Sequence, residues 1–165
     1  MPHTNTKTAR RRLVSYASLA DLSKDLDKVE AAHRAGTLKP LGNHQPGPVL
    51  GHIAIAIRGS FDSLAALNRA APLWLRVIGP FVKSRVLASP LRPGVRMSPA
   101  AEAALWDHTL TFERALDLLR TQVSRLGAPG ASPSATHPIF GKLTPAEWQT
   151  FHLRHAELHM SFLQP

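Results

Sequence analysis

An all-α fold is what this sequence predicts: a four-helix bundle with an extra short helix between the second and third long helices. Three observations carry that expectation. Apolar residues recur at spacings of three and four in four separate segments, the period of a helix with one buried face. Ser or Thr, with Pro or an acidic residue soon after it, stands ahead of three of these segments, and Gly or Gly and Pro stand behind two of them. No segment shows the apolar–polar alternation of a half-buried strand. The 165 residues, 44% of them hydrophobic, suit one domain with a substantial core. We assign residues 18–165 to that single domain and residues 1–17 to a basic N-terminal tail.

Helix one is predicted at about 18–34. Ser18 is a suitable N-cap, with Asp21 as an acidic variant of the capping box. Leu19, Leu22, Leu26 and Val29 form one face, and Gly36 stands where the helix should stop. Helix two follows a turn-rich entry of Asn43, Pro46, Gly47 and Pro48. It places Val49, Ile53, Ile57, Ser60 and Leu64 on one face and is expected to run to about Leu67.

The stretch "PLWLRVIGPFVKSRVLASPLRPGVRM" is apolar and interrupted by prolines. It predicts a short, irregular helix near about 73–88, with Trp74, Ile78, Phe81 and Val82 capping one end of the bundle. The interleaved Arg76, Lys83 and Arg85 admit a second reading, a helix lying on a membrane surface. Pro80 argues against it by breaking a continuous amphipathic face. Helix three opens with Ser98 as N-cap and Pro99 in the first helical position. Its stripe, Leu105, Thr109, Phe112, Leu116, Leu119 and Val123, runs on until "GAPGASPS". Helix four begins with Thr144, Pro145 and Glu147, a full capping box, and should reach Phe162.

Lys and Arg number 20 against 11 Asp and Glu, a formal net charge of +9. Such a balance suits acidic partners or a nucleic-acid backbone. Part of it lies in "KTARRR", however, which as a charge run near a terminus is expected to be solvated. No helix carries a dense basic stripe with interleaved aromatics, so nucleic acid is not the expected partner. The absence of cysteine excludes disulfides, thiolate metal ligands and a cysteine nucleophile, and leaves His, Asp and Glu for any transition-metal site. The basic run is followed by charges too early for an export signal, and no uncharged apolar run is long enough to span a bilayer. The expected location is the cytoplasm, without membrane insertion.

Three of the nine histidines, His152, His155 and His159, fall within eight residues of "WQTFHLRHAELHMSFL". At 100° per residue they share a face with Trp148, Phe151, Leu158 and Phe162, opposite Arg154, Glu157 and Ser161. Imidazoles on a core-directed face need partners. His155 and His159, four apart, carry Cβ atoms roughly 5–6 Å from one another, so both can reach one divalent ion. A third ligand must come from another helix, and His52, near the start of helix two, is the best candidate. Three neutral imidazoles and a water make an open site of the kind catalytic zinc uses. A lone core histidine is more often a hydrogen-bonded packing residue. His152 stands as a fourth ligand, a hydrogen-bond donor behind the ligands or a substrate contact. His108 lies at the margin of its stripe, His137 precedes helix four on a loop, and His3, His33 and His44 read as surface or turn residues.

The segments "SLADLSKDLDKVEAA", "VLGHIA", "HPIFGKLT" and "EWQTFHLRHAELHMSFL" together resemble the DinB/YfiT-like superfamily of metal-binding four-helix bundles, within it a largely uncharacterised bacterial subfamily. They cover most of the chain outside the N-terminal tail and residues 70–97. The resemblance implies a metal triad of one histidine at the start of helix two and a His-x3-His pair in the last helix, which falls on His52, His155 and His159. It implies a divalent metal, zinc or nickel, and a homodimer. One departure is visible: the family often has an aromatic residue before helix two, where "GNHQPG" offers His44. Several members of the superfamily transfer or isomerise with low-molecular-weight thiols such as mycothiol, bacillithiol or glutathione. By that likeness the chain is expected to be a metal-dependent, thiol-dependent S-transferase acting on a small-molecule substrate. His152 and His137 would position substrate or move a proton, and Arg58 or Arg154 would hold an anionic thiol. Two alternatives stand beside it. One is a non-catalytic basic bundle that binds nucleic acid or a protein partner; the other is an interaction protein whose histidines fill a polar core.

Overall fold

Helix starts form where the capping residues direct. The computed structural model describes residues 4–62, 73–94 and 98–165. Its elements are α1 (Leu19–Arg34), β1 (Lys39–Pro40), α2 (Pro46–Asp62), α3 (Leu73–Leu87), α4 (Pro99–Leu105), α5 (Phe112–Gly127), α6 (Pro145–Met160) and β2 (Leu163–Gln164). Among the described residues the chain is mostly helical, with six helices and one two-stranded sheet. The Ser18 hydroxyl accepts from Asp21 N–H at the start of α1, and Ser98 accepts from Ala101 N–H at the start of α4. Thr144 and Glu147 complete a reciprocal capping box on α6.

The most extensive packing is α2 against α5, and α2 also meets α6, while α1 lies on both α5 and α6. Leu22 and Leu26 of α1, Leu50, Ile53 and Ile57 of α2, Leu119 of α5 and Met160 of α6 are almost fully buried in the shared core. Each such side chain contributes about 1.5–3 kcal/mol relative to exposure. A smaller cluster of Phe140, Leu143 and Trp148 closes the end where α6 begins.

Several expectations change. Helix three is not continuous: the chain leaves the helix at Trp106 (φ −115°, ψ 119°) and re-enters at Phe112 behind a new N-cap, Thr111. Between them the Asp107 carboxylate accepts from both the N–H and the hydroxyl of Thr109, a local turn that competes with helix. The end of helix two expected at Leu67 lies outside the described residues. After Met160 the chain turns at Ser161 into β2, which pairs antiparallel with β1, Lys39 opposite Gln164. Two-residue strands are too short to leave an alternation pattern.

The buried face of α6 is rotated from the expected one. Glu157 and Ser161, assigned to the outer side, are buried, and His155 and His159 sit half-buried at the edge of the face. The reason lies in the N-terminal segment. Arg12, expected to be solvated, donates two bonds to the Asp25 carboxylate (2.7 and 2.6 Å) and one to the Met160 carbonyl. The Tyr16 hydroxyl donates to Asp25, and the Tyr16 N–H donates to Glu157. Arg154 bonds Glu157 and the Tyr16 carbonyl. Charged groups can be buried here because each is paired and hydrogen-bonded.

Finally, α3 does not cover the core with its large apolar residues, contrary to the expectation from the sequence. Trp74, Ile78, Phe81 and Val82 are exposed, and the helix runs unbroken through Pro80.

Candidate metal centre

The first turns of α2 carry Gly47 and Gly51, and both are there because another segment lies against them. A Cβ at Gly47 would stand 2.4 Å from the Leu110 carbonyl oxygen, and one at Gly51 would stand 2.5 Å from Leu110 Cδ1. The loop between α4 and α5 is therefore seated directly on α2, beside His52. Because Thr109 N–H is turned to Asp107, the Leu105 carbonyl at the end of α4 is free to accept from His52 Nδ1 at 3.1 Å. Trp106 follows, and its ring stacks with that of His52 at 4.1 Å.

A carbonyl oxygen only accepts, so His52 Nδ1 carries the hydrogen and Nε2 carries the lone pair. That Nε2 lies 3.1 Å from Nε2 of His155. The rings of His52 and His159 are 4.5 Å apart, and those of His155 and His159 are 4.6 Å apart. One nitrogen from each of the three lies within 4.8 Å of the others. Two nitrogens bound at about 2.0–2.1 Å to a tetrahedral ion stand roughly 3.3 Å apart, so the His52–His155 pair already has the spacing of two ligands. Burial lowers the pKa of His52 to about 4, reinforced by nearby His44 and opposed by the Leu105 bond. Burial, together with neighbouring imidazoles, holds His155 and His159 well below the usual histidine value. All three are neutral at pH 7, the form that binds metal. The three histidines can hold a metal ion. A buried Nδ1 of His155 has no hydrogen-bond partner in the protein, as expected of a ring whose environment is incomplete without a further group.

The other predicted residues fall in different places. His152 is 2% exposed, stacks with Trp148 at 5.3 Å, and has no protein partner for either ring nitrogen. Burial, with His137 nearby, lowers its pKa to about 3. His137 Nδ1 accepts from the N–H groups of Ile139 and Phe140, which fixes the turn before α6, and its ring packs against Phe140 and Phe151. Arg154 is engaged by Glu157 and Tyr16, and Arg58 is exposed on α2. His44, read as a turn residue, stacks with Trp106 at 3.8 Å, and His108 lies 6.0 Å from the same ring. Trp106 was not legible as a site residue, since the helical stripe carried straight through it. The one available signal was "WDHT", whose Asp two residues ahead of Thr favours a turn.

Residues 8–165 match a family described as a protein of unknown function, DUF1569. The chain belongs to this family. A DUF1569 assignment over nearly the whole chain covers both the histidine triad and the N-terminal segment holding Arg12 and Tyr16. Comparison with curated proteins and with solved structures yields no match.

Proposed function

We propose that this DUF1569 protein is a DinB-like four-helix bundle that holds a divalent ion, zinc or nickel, on His52, His155 and His159. We propose further that the centre serves a thiol-dependent S-transferase acting on a small molecule, as a homodimer in the cytoplasm. The observation that carries the metal site is the His52 tautomer. The Leu105 carbonyl holds Nδ1–H, and the remaining lone pair is directed to a second imidazole nitrogen at 3.1 Å.

When bound, the ion would supply Lewis acidity that favours the thiolate of a low-molecular-weight thiol, the nucleophilic form. With no cysteine in the chain, the sulfur must arrive with the cofactor. His152 would hold a polar atom of substrate or a water, because both its nitrogens are buried, neutral and unpartnered. His137 has a narrower role. Its Nδ1 is occupied by two backbone N–H groups, so only Nε2–H remains and it would act as a donor. Trp148 and Phe151 would keep water from that side.

The test is metal analysis of protein purified without a histidine tag. Stoichiometric zinc or nickel is expected, lost in His52→Ala, His155→Ala and His159→Ala. Chelation should lower the melting midpoint by roughly 5–10 °C, the equivalent of ion present at about a hundred times its dissociation constant. A folded protein that takes up neither metal would overturn the site. A metal-loaded protein that consumes none of the three thiols in the presence of an electrophile would overturn the transferase.

A further inference from the structure

The two sides of α3 differ in a way the metal centre does not use. Its inner side is tight and small. A Cβ at Gly79 would stand 2.1 Å from the Ile139 carbonyl oxygen, and Leu87 is buried. Its opposite side carries Trp74, Val77, Ile78, Phe81 and Val82, at positions i, i+3, i+4, i+7 and i+8 of one stripe. All five are exposed, Phe81 by 86% and Trp74 by 61%. A contiguous run of large apolar side chains in water marks an interaction surface.

The charges decide what covers it. From residue 63 to residue 101 the chain has no Asp or Glu, while Arg69, Arg76, Lys83, Arg85, Arg92 and Arg96 fall within that interval. Arg76 and Arg85 are exposed on α3, and Lys83 is bound to Glu147. Lys7 of the N-terminal segment lies over Gly94 and adds a cation to the following loop. A second copy docked on this stripe would add its own Arg85 to the same apolar face, with no carboxylate on the segment to neutralise either. Anionic lipid headgroups neutralise them, and the acyl region just beneath accepts the apolar stripe. Trp at one end suits the headgroup boundary, and Arg side chains can extend to the phosphates. No helix among the described residues is long and apolar enough to cross a membrane, so contact would be in the surface plane.

We infer that α3 is a docking helix for an anionic lipid surface, through the exposed Trp74–Val82 stripe and Arg85, one turn beyond Phe81 on the same face. The experiment uses the full chain with vesicles of phosphatidylcholine alone and of phosphatidylcholine mixed with phosphatidylglycerol. Trp106 and Trp148 are buried, so a blue shift of tryptophan emission reports Trp74. A blue shift and co-sedimentation are expected with the anionic vesicles only, and both should weaken as salt is raised. The double variant Trp74→Ser, Phe81→Ser should partition at least about tenfold more weakly, with its circular dichroism and metal content unchanged. A second variant, Arg85→Gln, keeps the stripe and should lower the preference for anionic over neutral vesicles by about fivefold. Absence of partitioning, or equal partitioning to both compositions, would overturn the inference. So would a wild-type dimer that the serine variant converts to a monomer, since a second copy would then cover the stripe.

Discussion

Replacing His152 by Phe should remove a defined part of the acid sensitivity of this protein. His152 is buried and neutral, its pKa lowered to about 3 from 6.5 by burial and by His137. Its folded-state pKa is below its unfolded one, so the unfolded chain takes up this proton first as pH falls. The stability it supports is therefore complete above about pH 6.5 and declines by about 1.4 kcal/mol per pH unit below that, until the folded-state pKa is reached. At pH 5 the loss from this one residue is roughly 2 kcal/mol relative to pH 7.5. His52 and His137, each lowered to about 4, act in the same direction. Together the three account for about 6 kcal/mol at pH 5, comparable with the whole stability of many domains. The assay is urea denaturation followed by circular dichroism at about pH 7.5, 6 and 5, with chelator present so that no ion competes with protons for the triad. The wild type should lose stability steeply over this range. His152→Phe should be at least as stable at pH 7.5, since it removes two buried nitrogens without partners, and should gain on the wild type by roughly 2 kcal/mol at pH 5. Parallel pH dependences in the two proteins would refute the reasoning.

Other outcomes follow from the same packing. Trp106→Leu removes the ring that stacks with His52 and His44, and metal affinity measured by chelator competition should fall about 10–100-fold while the helical signal persists. Gly47→Ala should destabilise by about 2–3 kcal/mol in urea melts, because the new Cβ meets a backbone carbonyl. Gly51→Ala should cost less, since the opposing atom is the end of the Leu110 side chain. Arg12→Met leaves Asp25 buried beside Tyr16 without its cation and should cost about 3–5 kcal/mol, much of which the added change Asp25→Asn should restore. Burial alone would raise the Asp25 pKa; the Arg12 and Tyr16 bonds hold it below the usual value, so their stabilising effect is complete above about pH 4 and fades as acid protonates the carboxylate.

Much of this architecture was legible from short-range chemistry. Ser18, Ser98 and Thr144 act within three residues of themselves, and each starts a helix as expected. The convergence of His155 and His159 followed from one turn of helix, and the choice of His52 from its place at the start of α2. The helical stripe misled at Leu105–Thr109, where the Asp107 turn outweighs the periodicity.

By itself, then, the sequence determined where three of the helices start and which two imidazoles share a turn, because caps and i,i+4 neighbours are set by bonds and rotations within a few residues. Tertiary structure alone decided that Leu105 and Trp106 orient His52, that Glu157 turns inward to meet Tyr16, and that the stripe of α3 faces outward. Those outcomes depend on which surfaces meet across distant parts of the chain. A carbonyl freed at one helix end, a glycine that admits a loop and a buried cation seeking a carboxylate leave no periodic trace in the order of residues.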